Sequence, residues 1–385
     1  MTDARLRRLF YAGLLLLVLL EVGRVYFIMP LPGSQRTRSI DFAYALHRWR
    51  WLLRMLFATL IIGGMRAAWR GHGLRRVVVP MSLAFAGLAA YGSNVTMSAD
   101  RIFIAPTSLD MQPVDRNVVE MARLVVGIEI GGDARAYPVQ FIGYHHQVRD
   151  TVRGEPVLVS FCTVCRTGRV FSPIVDGRTE SFRLVGMDHF NAMFEDTTTG
   201  SWWRQANGEA IVGPRKGRKL DEIPSRQVML AQWLALHPRS LIMQPDSALA
   251  ARYARDFDYE TGRSRSPLTG SDSASWRDKS WVVGITVNDE SRAYDWNRLL
   301  RETVVNDVLG GKPIVLALAS DRRSYFAFVR PNLATRLAVR GDSLVGGTDA
   351  WAFTGRGATR SLEPLNASLE FWHSWRTFQP ETGRY

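Results

Sequence analysis

The sequence has only two cysteines, Cys162 and Cys165, and this scarcity excludes several kinds of site. A zinc site built from four cysteines needs a second pair, and haem attachment through Cys-x-x-Cys-His needs a histidine where this chain has Arg166. The chain also lacks His-Glu-x-x-His, Gly-x-Ser-x-Gly and the phosphate-binding Gly-x-x-x-x-Gly-Lys-Ser/Thr. Sequence signatures of the common metalloproteases, serine hydrolases and P-loop nucleotidases are therefore absent.

Lysine is missing from the first 98 residues, which contain thirteen arginines and only three acidic side chains. Most of the formal net charge of +13 therefore lies in this region, where the arginines flank apolar runs. This pattern is typical of membrane topology signals rather than of a nucleic-acid groove. We expect the lipid bilayer as a partner and no nucleic acid, while the sequence leaves any protein partner unknown.

Three apolar runs, at residues 9–29, 51–69 and 77–91, are candidate membrane spans. At about 1.5 Å per residue, the first is long enough to cross a hydrocarbon core of roughly 30 Å. The second is shorter and is interrupted by Arg54, and the third is shorter still. If the arginine-rich N-terminus and the loop between the second and third runs face the cytoplasm, the chain after residue 91 lies outside it.

The remainder of the chain contains an internal repeat. Residues 125–128 and 282–285 both have the sequence VVGI, and residues 135–137 and 292–294 both have RAY. We predict a membrane region with three helices at 1–93, a linker at 94–121, a first repeat at 122–245, a connecting segment at 246–280 and a second repeat at 281–385.

Short apolar segments bounded by glycine and asparagine turn signals predict strands in both repeats, with short helices at 139–146, 228–237 and 296–302. The expected fold class is mainly β with a few helices (α+β), in which two related repeats form the soluble part behind N-terminal transmembrane helices. Two units that share a core are expected rather than a solenoid, because a solenoid needs at least three repeats.

Cys162 and Cys165 follow an apolar run at 157–161, which predicts a buried strand that ends in a tight turn. His145 lies on the segment just before this strand. Two thiolates with an imidazole suit zinc or copper, whereas two thiols alone suit reversible disulfide chemistry. We expect a metal site at Cys162, Cys165 and His145 with copper or zinc as the cofactor. A redox pair, a plain disulfide and an inert buried pair are the alternatives.

Three further side chains, His146, His189 and Met193, are candidate ligands. His189 and Met193 are four residues apart and would share one face of a helix. Soft sulfur ligands combined with imidazole favour Cu(I) or zinc over magnesium or calcium. The second repeat has Ala319 and Arg322 where the first has its cysteines, so we expect only the first repeat to carry chemistry.

Four phrases occur in a fixed order: SFCTVCRTG from Ser160, MFEDTTTGSW from Met193, GEAIVG from Gly208, and Trp233 followed by His237-Pro238. In this order, over roughly residues 125–380, the chain resembles the bacterial domain of unknown function family 3179. Members of that family typically show Tyr-Cys-Pro-Leu-Cys-Gly-Thr at the first phrase, where this chain has Arg166 in place of the glycine. The resemblance implies an exported or membrane-associated bacterial domain, and it supplies no reaction. Together with the arginine distribution, we expect the bacterial inner membrane, with the C-terminal part in the periplasm.

The leading hypothesis is a membrane-anchored, periplasm-facing domain that binds a transition metal for metal handling or a redox step. One alternative is a thiol–disulfide redox module, because two cysteines outside the cytoplasm tend to oxidise. Another is a non-catalytic membrane interaction or scaffold protein, in which the aromatic patch around Trp202 binds a partner. The sequence does not decide whether the protein is an enzyme.

Overall fold

The structure, a computed structural model, describes residues 2–70, 73–106 and 108–385. Backbone contacts divide the chain into two compact units, and each is built from segments that are not continuous in sequence. The first unit comprises Met1–Ile104, Phe182–Trp203 and Ala210–Gly217, and the second comprises Ala105–Ser181, Arg204–Glu209 and Arg218–Tyr385.

The helices fall into three long ones near the N-terminus and a set of short ones that connect strands. In chain order they are α1 Asp3–Tyr26, α2 Ile40–Trp69, α3 Arg75–Tyr91, α4 Ala99–Ile102, α5 Val139–His145, α6 Leu230–Leu236, α7 Asp258–Thr261, α8 Trp296–Glu302 and α9 Trp372–Phe378. A π-helical turn, Gly92–Thr96, continues α3.

The strands are short and form several small sheets. In chain order they are β1 Met111–Gln112, β2 Leu124–Ile130, β3 Asp133–Pro138, β4 Gln147–Val152, β5 Glu155–Cys162, β6 Thr167–Phe171, β7 Ile174–Val175, β8 Arg178–Thr179, β9 Phe182–Asp188, β10 Asn191–Asp196, β11 Trp202–Arg204, β12 Ala210–Val212, β13 Arg226–Met229, β14 Leu241–Met243, β15 Trp281–Val287, β16 Glu290–Asp295, β17 Val304–Leu309, β18 Lys312–Leu318, β19 Tyr325–Val329, β20 Ala338–Arg340, β21 Ser343–Gly346, β22 Asp349–Ala352, β23 Ala367–Phe371 and β24 Gly383–Arg384. The predicted mixture of helices and strands is confirmed.

Within the first unit, three helical stretches are long and apolar enough to cross a membrane: Asp3–Tyr26, Ile40–Trp69 and Arg76–Thr96. The prediction of three apolar N-terminal helices is therefore confirmed. Helices α1 and α2 pack closely where glycine removes the side chain, since a Cβ on Gly64 would lie 2.7 Å from the Cβ of Phe10. Small residues at a helix crossing permit such close approach of two backbones.

A polar cluster fixes the three long helices to one another. Glu21 of α1 is 1 % exposed, and Arg54 of α2 donates two hydrogen bonds to its carboxylate at 2.6 and 2.8 Å. Asn94, on the π-helical turn after α3, donates a third bond to Glu21 at 2.7 Å. Arg24 completes the cluster at 3.1 Å from the same carboxylate. A buried carboxylate with this many donors is fully compensated, so removal of any one partner would be costly.

The first unit also contains a four-stranded sheet with the strand order β12-β11-β10-β9. The apolar face of this sheet packs against the start of α2, where Ala43 and Tyr44 contact a cluster that includes Val185 and Trp202. Helix α2 begins at Ile40 rather than near residue 51, because its first turns cover this sheet.

Two of the sheets in the second unit are each built around a β-hairpin. The orders are β1-β14-β3-β2-β13 and β23-β15-β16-β24. The hairpin β2–β3 pairs Val125 with Pro138, and the hairpin β15–β16 pairs Val282 with Asp295. Each hairpin is followed by a short helix, α5 or α8, and then by a three-stranded sheet, β4-β5-β6 or β17-β18-β19.

A tryptophan lies directly over a glycine in each of these two sheets. Trp233 of α6 covers Gly127, and Trp375 of α9 covers Gly284. A Cβ at Gly127 would lie 2.5 Å from the Trp233 ring, so only glycine lets the helix approach the strand this closely. The main core of the unit combines buried strand residues from both sequence halves, including Val159 and Val315.

Candidate functional site

The two cysteines close the turn that connects β5 to β6. Cys162 is the last residue of β5, Cys165 lies in the turn, and the two are joined by a disulfide with their Cα atoms 5.6 Å apart. Both residues are 0 % exposed. The hairpin explains the proximity, because Cys162 pairs with Thr167 across the β5–β6 ladder and leaves only a short turn between them.

The backbone of this turn is held by residues from the second half of the chain. Lys279 donates from Nζ to the carbonyl oxygen of Val164 at 2.6 Å, and the backbone N–H of Phe371 donates to the carbonyl oxygen of Cys165 at 3.0 Å. Burial lowers the pKa of Lys279 to about 8, although Asp278 opposes this shift. The turn thus contacts a desolvated ammonium group.

Arg166 places a second cation, this one fully buried, at the end of the turn. Its guanidinium lies 3.7 Å from the centre of the Trp281 ring and donates to the carbonyl oxygens of Tyr259 and Glu260 at 3.0 and 3.1 Å. Burial lowers the pKa of Arg166, and its Nε has no hydrogen-bond partner among the described residues. The residue has a φ of 61°, in the left-handed region that favours glycine.

A chain of buried polar groups continues from the turn toward β23 and α9. Thr167 and Ser374 are joined through their hydroxyl groups at 3.3 Å, and Ser374 donates to Glu370 at 2.9 Å. Arg169 donates to the other oxygen of Glu370 at 2.5 Å. This arrangement is a continuous hydrogen-bonded path, 1 % exposed at Glu370, beneath the disulfide turn.

Each of the two predicted histidine ligands near the cysteines has a hydrogen-bond partner of its own. His145 lies with its Nε2 2.8 Å from the hydroxyl of Tyr253, and both residues are buried. His146 lies with its Nδ1 3.2 Å from the carbonyl oxygen of Tyr144. Burial lowers the pKa of His146 to about 4, so its imidazole is neutral at physiological pH.

The two remaining predicted ligands, His189 and Met193, belong to the first unit. They lie on either side of the start of β10 rather than on a helix, so the predicted shared helical face is absent. His189 has its Nδ1 2.6 Å from a carboxylate oxygen of Asp188. Met193 is 0 % exposed and packs in the apolar cluster with Ala43 and Trp202.

The prediction of a transition-metal function is wrong. Among the residues that the structure describes, no group of three or more His, Cys, Asp or Glu side chains is arranged to hold a metal ion. The two cysteines that would supply the thiolates are bonded to each other instead. A disulfide sulfur is not a thiolate, and the thiolate is the form that ligates metals.

Sequence reasoning missed the residues that surround the disulfide. Lys279, Glu370 and Ser374 lie more than a hundred positions further along the chain, and no local pattern relates them to the cysteines. The one local indication in the sequence was Arg166, which occupies the position where family 3179 typically has glycine. Its positive φ explains why glycine suits that position.

The comparison with known families accounts for most of the chain. Residues 107–382 match the model of the family described as "Protein of unknown function (DUF3179)". No curated protein and no solved structure matches the chain. The match spans the hairpins, the disulfide turn and both tryptophan-covered sheets, and it confirms the resemblance seen in the sequence motifs. The chain belongs to the DUF3179 family of proteins of unknown function.

Proposed function

We propose that this protein is anchored in the bacterial inner membrane, faces the periplasm, and uses Cys162 and Cys165 as a reversible thiol–disulfide couple. The observation that carries the proposal is the position of the disulfide, in a short turn that ends at the buried Arg166 and accepts a hydrogen bond from the partly buried Lys279. An oxidised pair is typical of an oxidising compartment, which supports the periplasmic side. The arginine distribution around the three candidate spans supports the same orientation.

The soluble part is proposed to have arisen by duplication of one unit. The matching hairpins, the short helix after each and the three-stranded sheet that follows support this origin. In the second copy, Ala319 and Arg322 occupy the positions that align with the two cysteines. Only the first copy then carries the couple, while Lys279 of the connecting segment and Phe371 of the second copy hold its turn.

The size of the ring argues against a purely structural disulfide. In the chain-entropy account, the stabilisation from a disulfide grows with the length of the loop that it closes. Cys162 and Cys165 are separated by only three positions, so the bond restricts little of the unfolded chain. Such a bond is a weak brace for a large unit, and a redox role explains better why the only two cysteines are placed together.

The two cations would stabilise the thiolate that appears during exchange. A dithiol partner would attack one sulfur through its thiolate, which forms a mixed disulfide and releases the other cysteine as a thiolate. The second thiol of the partner, after losing its proton, would then attack the mixed disulfide. The partner leaves as a disulfide and the protein as a dithiol, with two electrons and two protons transferred. Positive groups beside a cysteine favour its thiolate form.

Access to the sulfurs requires the turn to open. Both sulfur-bearing residues are fully buried, and Thr163 is the only residue of the turn that is partly exposed. Opening must break the hydrogen bonds from Lys279 and Phe371 to the turn carbonyls. We therefore expect small reductants such as dithiothreitol to react faster than a folded protein dithiol.

Alkylation followed by mass spectrometry tests the couple directly. The full-length protein in detergent should take up no iodoacetamide before reduction and two equivalents after treatment with dithiothreitol under native conditions. Oxidised protein should also oxidise a reduced model peptide that carries two cysteines. A C162A/C165A variant is the control and should do neither.

Two results would overturn the proposal. The first is a disulfide that is reduced only when the protein unfolds, because an exchange couple must react in the native state. The second is native reduction without any transfer to the peptide. Either result would favour the alternative of a non-catalytic membrane interaction or scaffold protein.

A further inference from the structure

The second unit contains a cleft of about 570 Å³ that is separate from the disulfide turn. We call it the arginine cleft, and we define it by the charged or titratable residues that line it: Glu129, Arg226, His237, Arg239 and Arg356. Its volume lies within the range of about 300–1,000 Å³ that is typical of small-molecule sites.

The charges that line the arginine cleft are unbalanced. Three guanidinium groups face a single carboxylate, Glu129, which is partly exposed. The pKa of His237 is lowered by burial first, and Arg226 and Arg356 lower it further, so this imidazole is neutral at physiological pH. Glu129 opposes that shift, and its carboxylate is 3.9 Å from Nδ1 of His237. The cleft therefore carries an excess of positive charge.

Arg226 is the fixed cation of the cleft. Its guanidinium donates to the carbonyl oxygen of Phe353 at 2.9 Å and lies 5.4 Å from the centre of the Phe326 ring. Burial lowers its pKa to about 10, and it has no carboxylate within 4.0 Å among the described residues. Arg123, by contrast, is paired with Glu260 at 2.9 Å elsewhere in the same unit.

Arg239 and Arg356 are the two cations of the cleft whose side chains are available to a ligand. Both are exposed, and within the described part of the chain neither side chain makes a hydrogen bond or an ion pair. Arg356 and His237 both line the cleft, and the charge of Arg356 contributes to the lowered pKa of His237. These side chains can turn toward a ligand without breaking an existing contact.

An apolar and aromatic wall completes the cleft. The ring of His237 lies 4.1 Å from that of Trp233 at an angle of 32°, and Leu236 and Pro364 also line the space. An ion alone would leave this wall unused. A ligand that combines an oxyanion with an apolar body would contact both parts.

We propose that the arginine cleft binds a small organic anion, with its carboxylate or phosphate between Arg226, Arg239 and Arg356 and its apolar part against Leu236 and Pro364. Guanidinium groups recognise both oxyanions through paired hydrogen bonds. This binding site is independent of the proposed redox couple, since none of the residues of the disulfide turn lines it.

Titration calorimetry on the full-length protein in a non-ionic detergent at low salt tests the site. The probes are benzoate and phenyl phosphate, which share a ring and differ in the oxyanion, with inorganic phosphate as the probe without an apolar part. We expect saturable binding of at least one ring-bearing probe, tighter than that of inorganic phosphate. The tighter of the two ring-bearing probes identifies the oxyanion.

Variants that remove positive or negative charge from the cleft should change the affinity in opposite directions, which distinguishes a binding site from a loss of folding. R239Q/R356Q should weaken binding of the ring-bearing probe by about tenfold or more, because it removes charge-assisted hydrogen bonds. E129Q should strengthen binding several-fold, because among the described residues that line the cleft Glu129 has the only carboxylate to repel the anion. R340Q, an exposed arginine that does not line the cleft, should leave the affinity unchanged.

Three results would overturn this inference. One is the absence of binding by all three probes at millimolar concentration. Another is binding that R239Q/R356Q does not weaken. The third is weakening by R340Q as large as that by R239Q/R356Q, which would show that the probes respond to the charge of the whole surface or to loss of folding.

Discussion

Reduction of the disulfide without any mutation is the most direct test of how much the bond contributes to folding. The chain-entropy relation gives about 2 kcal/mol for a loop as short as that between Cys162 and Cys165, compared with about 3 kcal/mol for a 15-residue loop. For a unit of this size, such a loss corresponds to a fall of about 4–8 °C in the thermal midpoint.

Intrinsic tryptophan fluorescence can follow this transition, because the buried Trp233 and Trp351 report on the second unit. Thermal scans of the full-length protein with and without dithiothreitol should differ by this small shift. The C162A/C165A variant should show no response to dithiothreitol. A fall well beyond 10 °C in the wild type alone would refute the reasoning, because the bond would then be a structural staple rather than a weakly stabilising couple.

Three further predictions concern single side chains. K279M should raise the pKa of the cysteine thiol that is released during exchange and slow peptide oxidation several-fold, measured against K312M as the matched control, because the ammonium group at the turn is lost. G127A should destabilise the second unit by about 1–3 kcal/mol in denaturant titration, because its Cβ would lie 2.5 Å from Trp233, whereas G63A in α2 meets no atom within 4 Å. Burial raises the pKa of Glu195, but His47, Arg183 and Trp202 overcome this effect and lower the pKa to about 2. The contribution of Glu195 to the free energy of unfolding should therefore be complete above about pH 4.5 and decline as the pH falls toward 2. The thermal midpoint of E195Q should decline less over this pH range than that of the wild type. An identical decline would contradict a pH-dependent contribution from Glu195.

The sequence predicted those elements that depend on local pattern. Helix α8 occupies Trp296–Glu302, the same residues as predicted, and α5 at Val139–His145 differs by one residue. Strand β2 at Leu124–Ile130 contains the apolar VVGI segment at 125–128, in line with the strands predicted for the first repeat. These segments have a clear hydrophobic period and turn signals at their ends, and both are properties of neighbouring residues.

The sequence could not predict contacts between distant segments. The start of α2 at Ile40 contains several polar residues, and its helical state depends on packing against a sheet some 140 residues later. Met193 looked like a soft ligand because the sequence does not show which face of a strand is buried, and in the structure it is core. Likewise, hydropathy and spacing alone do not distinguish a metal-binding thiol pair from a disulfide.

The cations beside the turn bear on whether the proposed couple accepts electrons from its partner or donates them. Arg166 and Lys279 are desolvated, and their hydrogen bonds within the described chain go to neutral carbonyl oxygens rather than to carboxylates. Glu260 and Asp278 offset this desolvation only in part, since the pKa of each cation stays lowered, and a thiolate in the turn would supply a further anion. The oxidised form, which has no charge, cannot do so. Because a couple becomes more oxidising when its reduced form is stabilised, this arrangement favours a protein that accepts electrons from its partner rather than one that donates them.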